Sequence, residues 1–148
     1  MMNLKIVNLN REHISDLVKI ESEAFSCPWT ESGFIEEIYN ENARFRVAEI
    51  NDVVAGYMGM YSIYDQGYIA NIAVLKRFRN NGIAKKLMED SFEYGNKANL
   101  EFISLEVRKS NEIAITFYKK MGFLEVGTRK GFYVSPNEDA IIMTKFLK

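Results

Sequence analysis

The stretch that decides the fold reads NIAVLKRFRNNGIAKKLM and runs from Asn71 to Met88. An apolar, β-branched run ends at Val74, a short basic loop follows, and a helical pattern begins after Gly82. The apolar positions of that pattern are Ile83, Ala84, Leu87 and Met88. The first turn of a helix has free backbone N–H groups and lies at the positive end of the helix dipole. The pattern therefore predicts an anion site, and a pyrophosphate is the ligand we expect there.

The glycine loop lacks two common nucleotide signatures. The dinucleotide fingerprint needs three glycines and an acidic residue about 20 positions later, and the phosphate-loop pattern needs Gly-Lys-Ser or Gly-Lys-Thr. This chain has Arg79-x-x-Gly82-x-Ala84 instead. Taken alone, these positions are more typical of an ordinary helix that follows an Asn-Asn-Gly turn.

The composition predicts a single globular domain over residues 1–148, with 47% hydrophobic and 26% charged residues. A net charge of −1 argues against a nucleic-acid-binding surface. The chain has one cysteine, Cys27, and one histidine, His13, which we place on the surface of the first helix; neither a disulfide nor a metal cluster is expected. Because no apolar run is long enough to span a bilayer, we expect a cytoplasmic protein without a membrane partner.

Seven predicted strands and four predicted helices follow one another in mixed order. The strands cover residues 3–8, 43–50, 53–63, 67–74, 100–107, 123–133 and 139–146, and the helices cover residues 11–25, 30–39, 83–97 and 111–121. We find no repeat and no linker. Mixed runs of this kind favour an α+β fold with a mixed sheet over a doubly wound parallel sheet.

Two residues of the second half are candidates for a general base and a general acid. Glu106 ends an otherwise apolar strand, and burial of a carboxylate raises its pKa toward the range of a general base. The alternative, which the strand alone favours, is a Glu106 that faces solvent or pairs with a basic neighbour. Tyr118 shares a helix face with Ala114 and Met121, so it is either a core aromatic or a proton donor. Asn111 either caps that helix or also contacts a ligand.

These motifs, in this order of elements, resemble the GCN5-related N-acetyltransferases (the GNAT family), whose signature is Gln/Arg-x-x-Gly-x-Gly/Ala. The resemblance covers nearly the whole chain, and it implies the GNAT fold and acetyl-coenzyme A as the acetyl donor. Three further blocks are similar to the RimI-type branch, which acetylates the N-terminal alanine of a small-subunit ribosomal protein. They are Pro28-Trp29-Thr30, Leu105-Glu106-Val107-Arg108-x-Ser110-Asn111 and Glu138-Asp139-Ala140-Ile141-Ile142-Met143.

The resemblance also implies a role for each matching position. Glu106 is the general base and Tyr118 the general acid. The backbone of Ile72, Ala73 and Val74 pairs with the pantetheine arm of the cofactor. The remaining cofactor contacts are Arg79, Asn80, Asn81, Gly82, Ile83, Ala84 and Asn111. The implied acceptor is the N-terminus of a small-subunit ribosomal protein, with no metal and no direct contact with nucleic acid.

The acceptor is the part that the residues constrain least. An α-amine, with a reference pKa of about 7.7–8.0, loses its proton more easily than a lysine amine at about 10.4, which favours an N-terminus. Another protein N-terminus, a lysine and a small-molecule amine are the alternatives, as are a coenzyme A-binding module without catalysis and a nucleotide-binding protein. Trp29, Tyr64 and the loop between Tyr133 and Glu138 are candidates for the acceptor groove. The oligomeric state is left open.

Overall fold

The sheet order is β1-β2-β3-β4-β5-β7-β6 in the computed structural model, which describes residues 3–148. The strands are β1 (Leu4–Asn8), β2 (Ala43–Ile50), β3 (Val53–Ile63), β4 (Gln66–Val74), β5 (Phe102–Arg108), β6 (Leu124–Val134) and β7 (Asn137–Phe146). The helices are α1 (Ile14–Ala24), α2 (Glu31–Ile38), α3 (Ile83–Lys97) and α4 (Glu112–Lys120), with short 3₁₀ turns at Arg11–His13 and Lys76–Phe78. The pair β4–β5 is parallel and the other pairs are antiparallel, which confirms the predicted mixed sheet. None of the helices described in residues 3–148 has the length and apolar character that a membrane crossing needs.

The predicted boundaries lie within two residues of the observed ones, except at the start of the first helix. There the chain first forms the 3₁₀ turn Arg11–His13, closed by a reciprocal cap in which Asn10 accepts from the backbone of Glu12 and His13 accepts from the backbone of Asn10. The prediction that His13 is exposed is wrong, because the residue is only 4% exposed. Its Nδ1 atom accepts in the cap and its Nε2 atom lies 2.9 Å from a carboxylate oxygen of Glu49, so both ring nitrogens are paired.

Each face of the sheet has its own hydrophobic cluster. Alternation along β3 sends Tyr57 to the cluster under α1 and α2, and Met58 and Met60 to the cluster under α3 and α4. Apolar positions predicted from the sequence of α3, Ile83 and Leu87 among them, are buried in the second cluster. Helices therefore cover both faces of the sheet.

The sheet separates between β4 and β5. The two strands pair only from Gln66 opposite Phe102 to Tyr68 opposite Ser104, and then diverge. Just beyond, Ala70 is the extra residue of a β-bulge, because Ile69 and Asn71 pair with consecutive residues of β3. The divergence opens the middle of the sheet.

Candidate active site

The loop before α3 is open to an anion. Gly82 precedes the helix with a φ angle of 76°, a left-handed conformation that glycine adopts without strain. A Cβ atom at this position would have no atom within 4 Å, so the space beside the loop is free. Side chains of Thr30 and Asn111 cap α2 and α4, whereas no side chain of the described residues caps α3. The N–H groups of the first turn of α3 are therefore available to a ligand.

A cavity of about 970 Å³ extends from this loop to α4, and we call it the loop cavity. Nearly all of the predicted cofactor residues line it: Ile72, Ala73, Val74, Arg79, Asn80, Gly82, Ile83, Ala84 and Asn111. Asn81 is not among the lining residues, and its Nδ2 atom instead donates to the carbonyl oxygens of Phe78 and Arg79 at 3.0 and 3.1 Å. The side chain of Asn81 therefore stabilises the loop.

Asn111 caps α4, which is one of the two roles that its sequence allowed, and its contact with a ligand stays a prediction. Its Oδ1 atom accepts from the backbone of Ala114 at 3.2 Å, which caps α4. The same residue lines the loop cavity. The cap thus fixes the start of α4 beside the space that a ligand would enter.

A second cavity, of about 450 Å³, lies in the opening between β4 and β5, and we call it the strand cavity. Tyr68 and Asn71 of β4 line it, as does Glu106 of β5. Tyr118 of α4 lines both the strand cavity and the loop cavity. Tyr118 therefore lies where two ligands, one in each cavity, would meet.

The carboxylate of Glu106 is held from two directions at the wall of the strand cavity. The Tyr68 hydroxyl donates to one oxygen, and Nε of Arg129 donates to the other at 3.1 Å. The Glu106 side chain is only 6% exposed, whereas that of Arg129 is 56% exposed. Glu106 therefore does not face solvent, but it does pair with a basic residue, and its role as a general base stays a prediction.

Tyr118 is a largely buried phenol in an aromatic setting. Its ring lies 5.6 Å from that of Phe117 and 5.8 Å from that of Phe123, between ring centres. Burial raises the pKa of Tyr118 to about 12, and the neighbouring Tyr133 acts in the same direction. The hydroxyl therefore keeps its proton near neutral pH and is able to donate it.

Sequence reasoning missed three residues at this site. Tyr68 and Arg129 contact Glu106 but lie 38 and 23 positions away along the chain. Glu21 is a carboxylate with no exposed surface, although its helix gave no sign of chemistry. For Glu21 the available signal was its place beside Ile20 and one turn after Leu17, on the apolar side of α1.

The rim of the strand cavity is formed by two segments that contact each other. The Ser26 hydroxyl, in the loop between α1 and α2, donates to the carbonyl oxygen of Ser135 in the β6–β7 turn. Arg108 binds the same turn. It donates to the carbonyl oxygens of Ser135 and Pro136 at 3.1 and 2.8 Å and to the carboxylate of Glu138 at 3.3 Å. These bonds join the β6–β7 turn to Ser26 and Arg108, which both line the strand cavity.

Of the two aromatic residues predicted beside this groove, Trp29 lines the strand cavity. Tyr64 does not: it is 98% exposed at the turn between β3 and β4. Cys27 is exposed and lies in the wall beside Trp29. Within residues 3–148, no group of three or more His, Cys, Asp or Glu side chains is placed to hold a metal ion.

Comparison with known proteins places this geometry in a family. The model of the acetyltransferase (GNAT) family matches residues 14–123. A Bacillus subtilis protein with the provisional name ribosomal protein bS18-alanine N-acetyltransferase is 35% identical over 137 residues, covering 92% of this chain and 91% of its own length. An N-alpha-acetyltransferase of Saccharolobus solfataricus is 32% identical over 151 residues, covering 93% and 90%.

A solved structure agrees with the sequence relatives. The crystal structure of the ribosomal-protein-S18-alanine N-acetyltransferase from Escherichia coli superimposes with a TM-score of 0.90 at 28% identity, covering 99% of this chain and 95% of that one. The family match, the relatives and the shared fold agree with the open glycine loop and the two joined cavities. The chain belongs to the GNAT family of acetyltransferases and is an acyltransferase of the RimI-like group.

Proposed function

We propose that this protein transfers the acetyl group of acetyl-coenzyme A to the N-terminal α-amine of a small-subunit ribosomal protein that begins with alanine. The observation that carries the proposal is the position of Tyr118, which lines the loop cavity and also lines the strand cavity together with Glu106. The relatives from Bacillus subtilis and Escherichia coli, whose names specify the alanine of ribosomal protein bS18 or S18, support this choice of acceptor.

The loop cavity fits acetyl-coenzyme A. The uncapped first turn of α3 offers N–H donors to a pyrophosphate, and Gly82 leaves room for a close approach. Because β5 has diverged, the edge of β4 at Ile72–Val74 has no strand partner on that side, and a pantetheine amide can pair with it like an added strand. The bound donor supplies an activated thioester.

The chemistry then needs two protons removed from the acceptor nitrogen, one before and one after the C–N bond forms, and one proton supplied to the thiolate. Glu106 accepts a proton from the α-ammonium group, directly or through a water molecule, and leaves a nucleophilic amine. A backbone N–H near Ala73 or Val74 polarises the thioester carbonyl, and the amine forms the new C–N bond. As the C–S bond breaks, Tyr118 gives its proton to the departing thiolate, and the nitrogen of the new C–N bond loses its second proton to the Tyr118 phenolate through water, which restores the phenol. The products are an acetylated N-terminus and a free thiol.

An N-terminal acceptor suits this site better than a lysine. The reference pKa is about 7.7–8.0 for an α-amine and about 10.4 for a lysine amine. A weaker base can therefore deprotonate the α-ammonium group, and a carboxylate such as Glu106 is a weak base. The archaeal relative carries the broader name N-alpha-acetyltransferase, which supports a second candidate. In that candidate the acceptor is another protein N-terminus, and the residues and chemistry are the same.

The test is acetylation of defined peptides, followed by mass spectrometry. A peptide beginning Ala-Arg and containing one internal lysine is incubated with the protein and acetyl-coenzyme A, beside the same peptide with a blocked N-terminus. We expect a gain of one acetyl group, located on the α-amine by fragmentation, and no gain on the blocked peptide. Acetylation of the lysine in both peptides would overturn the N-terminal acceptor.

A panel of first residues separates the two candidates. Peptides that differ only at position one compare alanine with serine, methionine and glycine. A clear preference for alanine supports the ribosomal-protein acceptor, and equal rates on all of them support the broader one. Tight acetyl-coenzyme A binding without thiol release on any peptide would contradict both.

A further inference from the structure

Glu21 is a fully buried carboxylate that the proposed chemistry does not use. Its exposed fraction is 0%, and burying an ionised group is costly unless hydrogen bonds replace the lost water. Three donors do so. The backbone N–H of Trp29 lies 2.9 Å from Oε1, and the Tyr57 hydroxyl and the Asn71 amide lie 2.6 and 2.9 Å from Oε2.

The arrangement of donors fits an ionised Glu21. The N–H of Trp29 and the amide of Asn71 can only donate, and Asn71 also donates to the Tyr57 oxygen at 2.9 Å, which leaves the Tyr57 proton for Glu21. Burial raises the pKa of Glu21, and the three hydrogen bonds oppose that shift. Burial and the neighbouring Glu21 carboxylate also raise the pKa of Tyr57, so the phenol stays a donor.

Two of the three donors belong to two different segments of the strand cavity wall. Trp29 comes from the loop between α1 and α2, and Asn71 from β4 just beyond the bulge at Ala70. Glu21 and Tyr57 are not among the residues that line the cavity. Glu21 thus lies outside the cavity and forms hydrogen bonds with Trp29 and Asn71, one from each of these two wall segments.

We propose that Glu21 is a positioning residue that sets the width of the strand cavity, and thereby the binding of the acceptor, by holding Trp29 against Asn71. This inference rests on the proposed function for its identification of the strand cavity as the acceptor site. The loop cavity has its own supports, in Gly82 and the hydrogen bonds of Asn81, and Glu21 is not among its lining residues. The two substrates are therefore affected differently.

The test compares Glu21→Gln with the control Tyr57→Phe. A glutamine has one acceptor oxygen, so it cannot accept from both wall segments, whereas Tyr57→Phe removes a hydrogen bond and leaves the bonds to Trp29 and Asn71 in place. We expect Glu21→Gln to raise KM for the acceptor peptide at least about tenfold, as expected for a lost hydrogen bond to a charged group, and to leave KM for acetyl-coenzyme A within about twofold. Tyr57→Phe should lower stability and leave both KM values close to those of the wild type.

A second pair of measurements does not depend on catalysis. Trp29 is the single tryptophan of the chain, and its ring lies 5.4 Å from that of Phe34 and 5.5 Å from that of Phe45. In Glu21→Gln we expect the fluorescence of Trp29 to shift to the red and its amide to exchange with solvent at least about tenfold faster. In Tyr57→Phe neither should change.

The outcomes separate this inference from the proposed function. If the wild type acetylates no peptide but Glu21→Gln still releases Trp29, the proposed function fails and the positioning role holds. If Glu21→Gln is folded and changes neither the peptide KM nor the Trp29 amide, the positioning role is wrong. If Glu21→Gln does not fold, the wild type decides, since a Trp29 amide that exchanges as fast as an unstructured one also excludes the role.

Discussion

Nε of Arg129 lies 3.1 Å from Oε1 of Glu106, although Arg129 is on β6, Glu106 is on β5 and β7 runs between them. Tyr68 donates to the other oxygen from the opposite side of the cavity. The proposed base is therefore oriented before any substrate arrives. An acceptor ammonium must compete with Arg129 for the same carboxylate, and the greater exposure of Arg129 allows it to move aside.

Replacement of this carboxylate should remove most of the rate. We expect Glu106→Gln to lower kcat by about 10²–10⁴-fold, the range for general acid–base steps. KM for acetyl-coenzyme A should stay unchanged, because Glu106 does not line the loop cavity. The control is Glu125→Gln, an exposed glutamate on β6. Steady-state thiol release measures both, and a wild-type kcat in Glu106→Gln would exclude the role of base.

Loss of the Tyr118 hydroxyl should slow the step in which the thiolate leaves. We expect Tyr118→Phe to lower kcat by about 10²-fold or more, and Tyr64→Phe, a change at an exposed position, to have no effect. Because the pKa of Tyr118 is raised to about 12, its phenol stays protonated while an unfolded tyrosine ionises near 10. Its contribution to stability is therefore complete below pH 10 and is lost as the pH rises from about 10 to 12.

The loss of stability that we attribute to Tyr118 at high pH can be measured separately. Urea unfolding between pH 8 and 11 should show a smaller fall in stability for Tyr118→Phe than for the wild type. An equal fall in both would mean that Tyr118 is not shielded from solvent as the structure has it.

A Cβ atom at Gly82 should weaken the acetyl donor specifically. Gly82→Ala places a methyl group in space that is free in the protein alone but borders the proposed pyrophosphate site. We expect KM for acetyl-coenzyme A to rise at least about tenfold, with a stability loss of about 1–2 kcal/mol from the left-handed backbone. The matched control is Gly131→Ala, which has a φ angle of 63° and lies away from the loop cavity.

The control isolates the ligand effect from strain. Gly131→Ala should lose similar stability in thermal unfolding and keep the KM for acetyl-coenzyme A. Equal KM values for acetyl-coenzyme A in the two variants would contradict a pyrophosphate site beside Gly82.

The ion pairs of Asp90 should make the fold sensitive to acid. Arg44 and Arg46 donate to Asp90 at 2.9 and 3.0 Å, joining β2 to α3. Burial alone would raise the pKa of Asp90, but the hydrogen bonds from Arg46 and Arg44 outweigh it and the pKa is lowered. The resulting stability is therefore present above the unfolded pKa of about 3.9 and is lost as the pH falls below it.

Asp90→Asn should accordingly cost about 2 kcal/mol of unfolding free energy at pH 7, and the difference from the wild type should shrink below about pH 4. Glu93→Gln, which breaks an exposed pair with Lys97, should change stability by less than about 0.5 kcal/mol. Denaturant unfolding at both pH values gives the comparison. A difference that persists unchanged at pH 3 would contradict the ionic origin.

Local patterns made much of this fold predictable. Apolar periodicity placed the helices and strands, and Asn111 makes the capping bond that its position predicts. Gly82 and Tyr118 were predicted as site residues because each belongs to a short motif. By contrast, the contacts of Glu106 with Tyr68 and Arg129 depend on which strands become neighbours, and the burial of Glu21 depends on how α1 lies on the sheet. Those relationships arise from register and packing between distant segments, which a local pattern does not contain.

The additional residue at Ala70 changes the face of the sheet to which the following side chains of β4 point. In an unbroken strand, Tyr68 and Asn71 are an odd number of positions apart and would point in opposite directions. Because Tyr68 pairs with Tyr61 and Asn71 with Gly59, which lie two apart on β3, both instead project toward α1 and α2. Removing Ala70 would turn one of them away and separate the partner of Glu106 from the partner of Glu21. Deletion of this one residue would leave every charged and aromatic group in the chain, yet it would break up the β4 wall of the strand cavity, which is the proposed acceptor site.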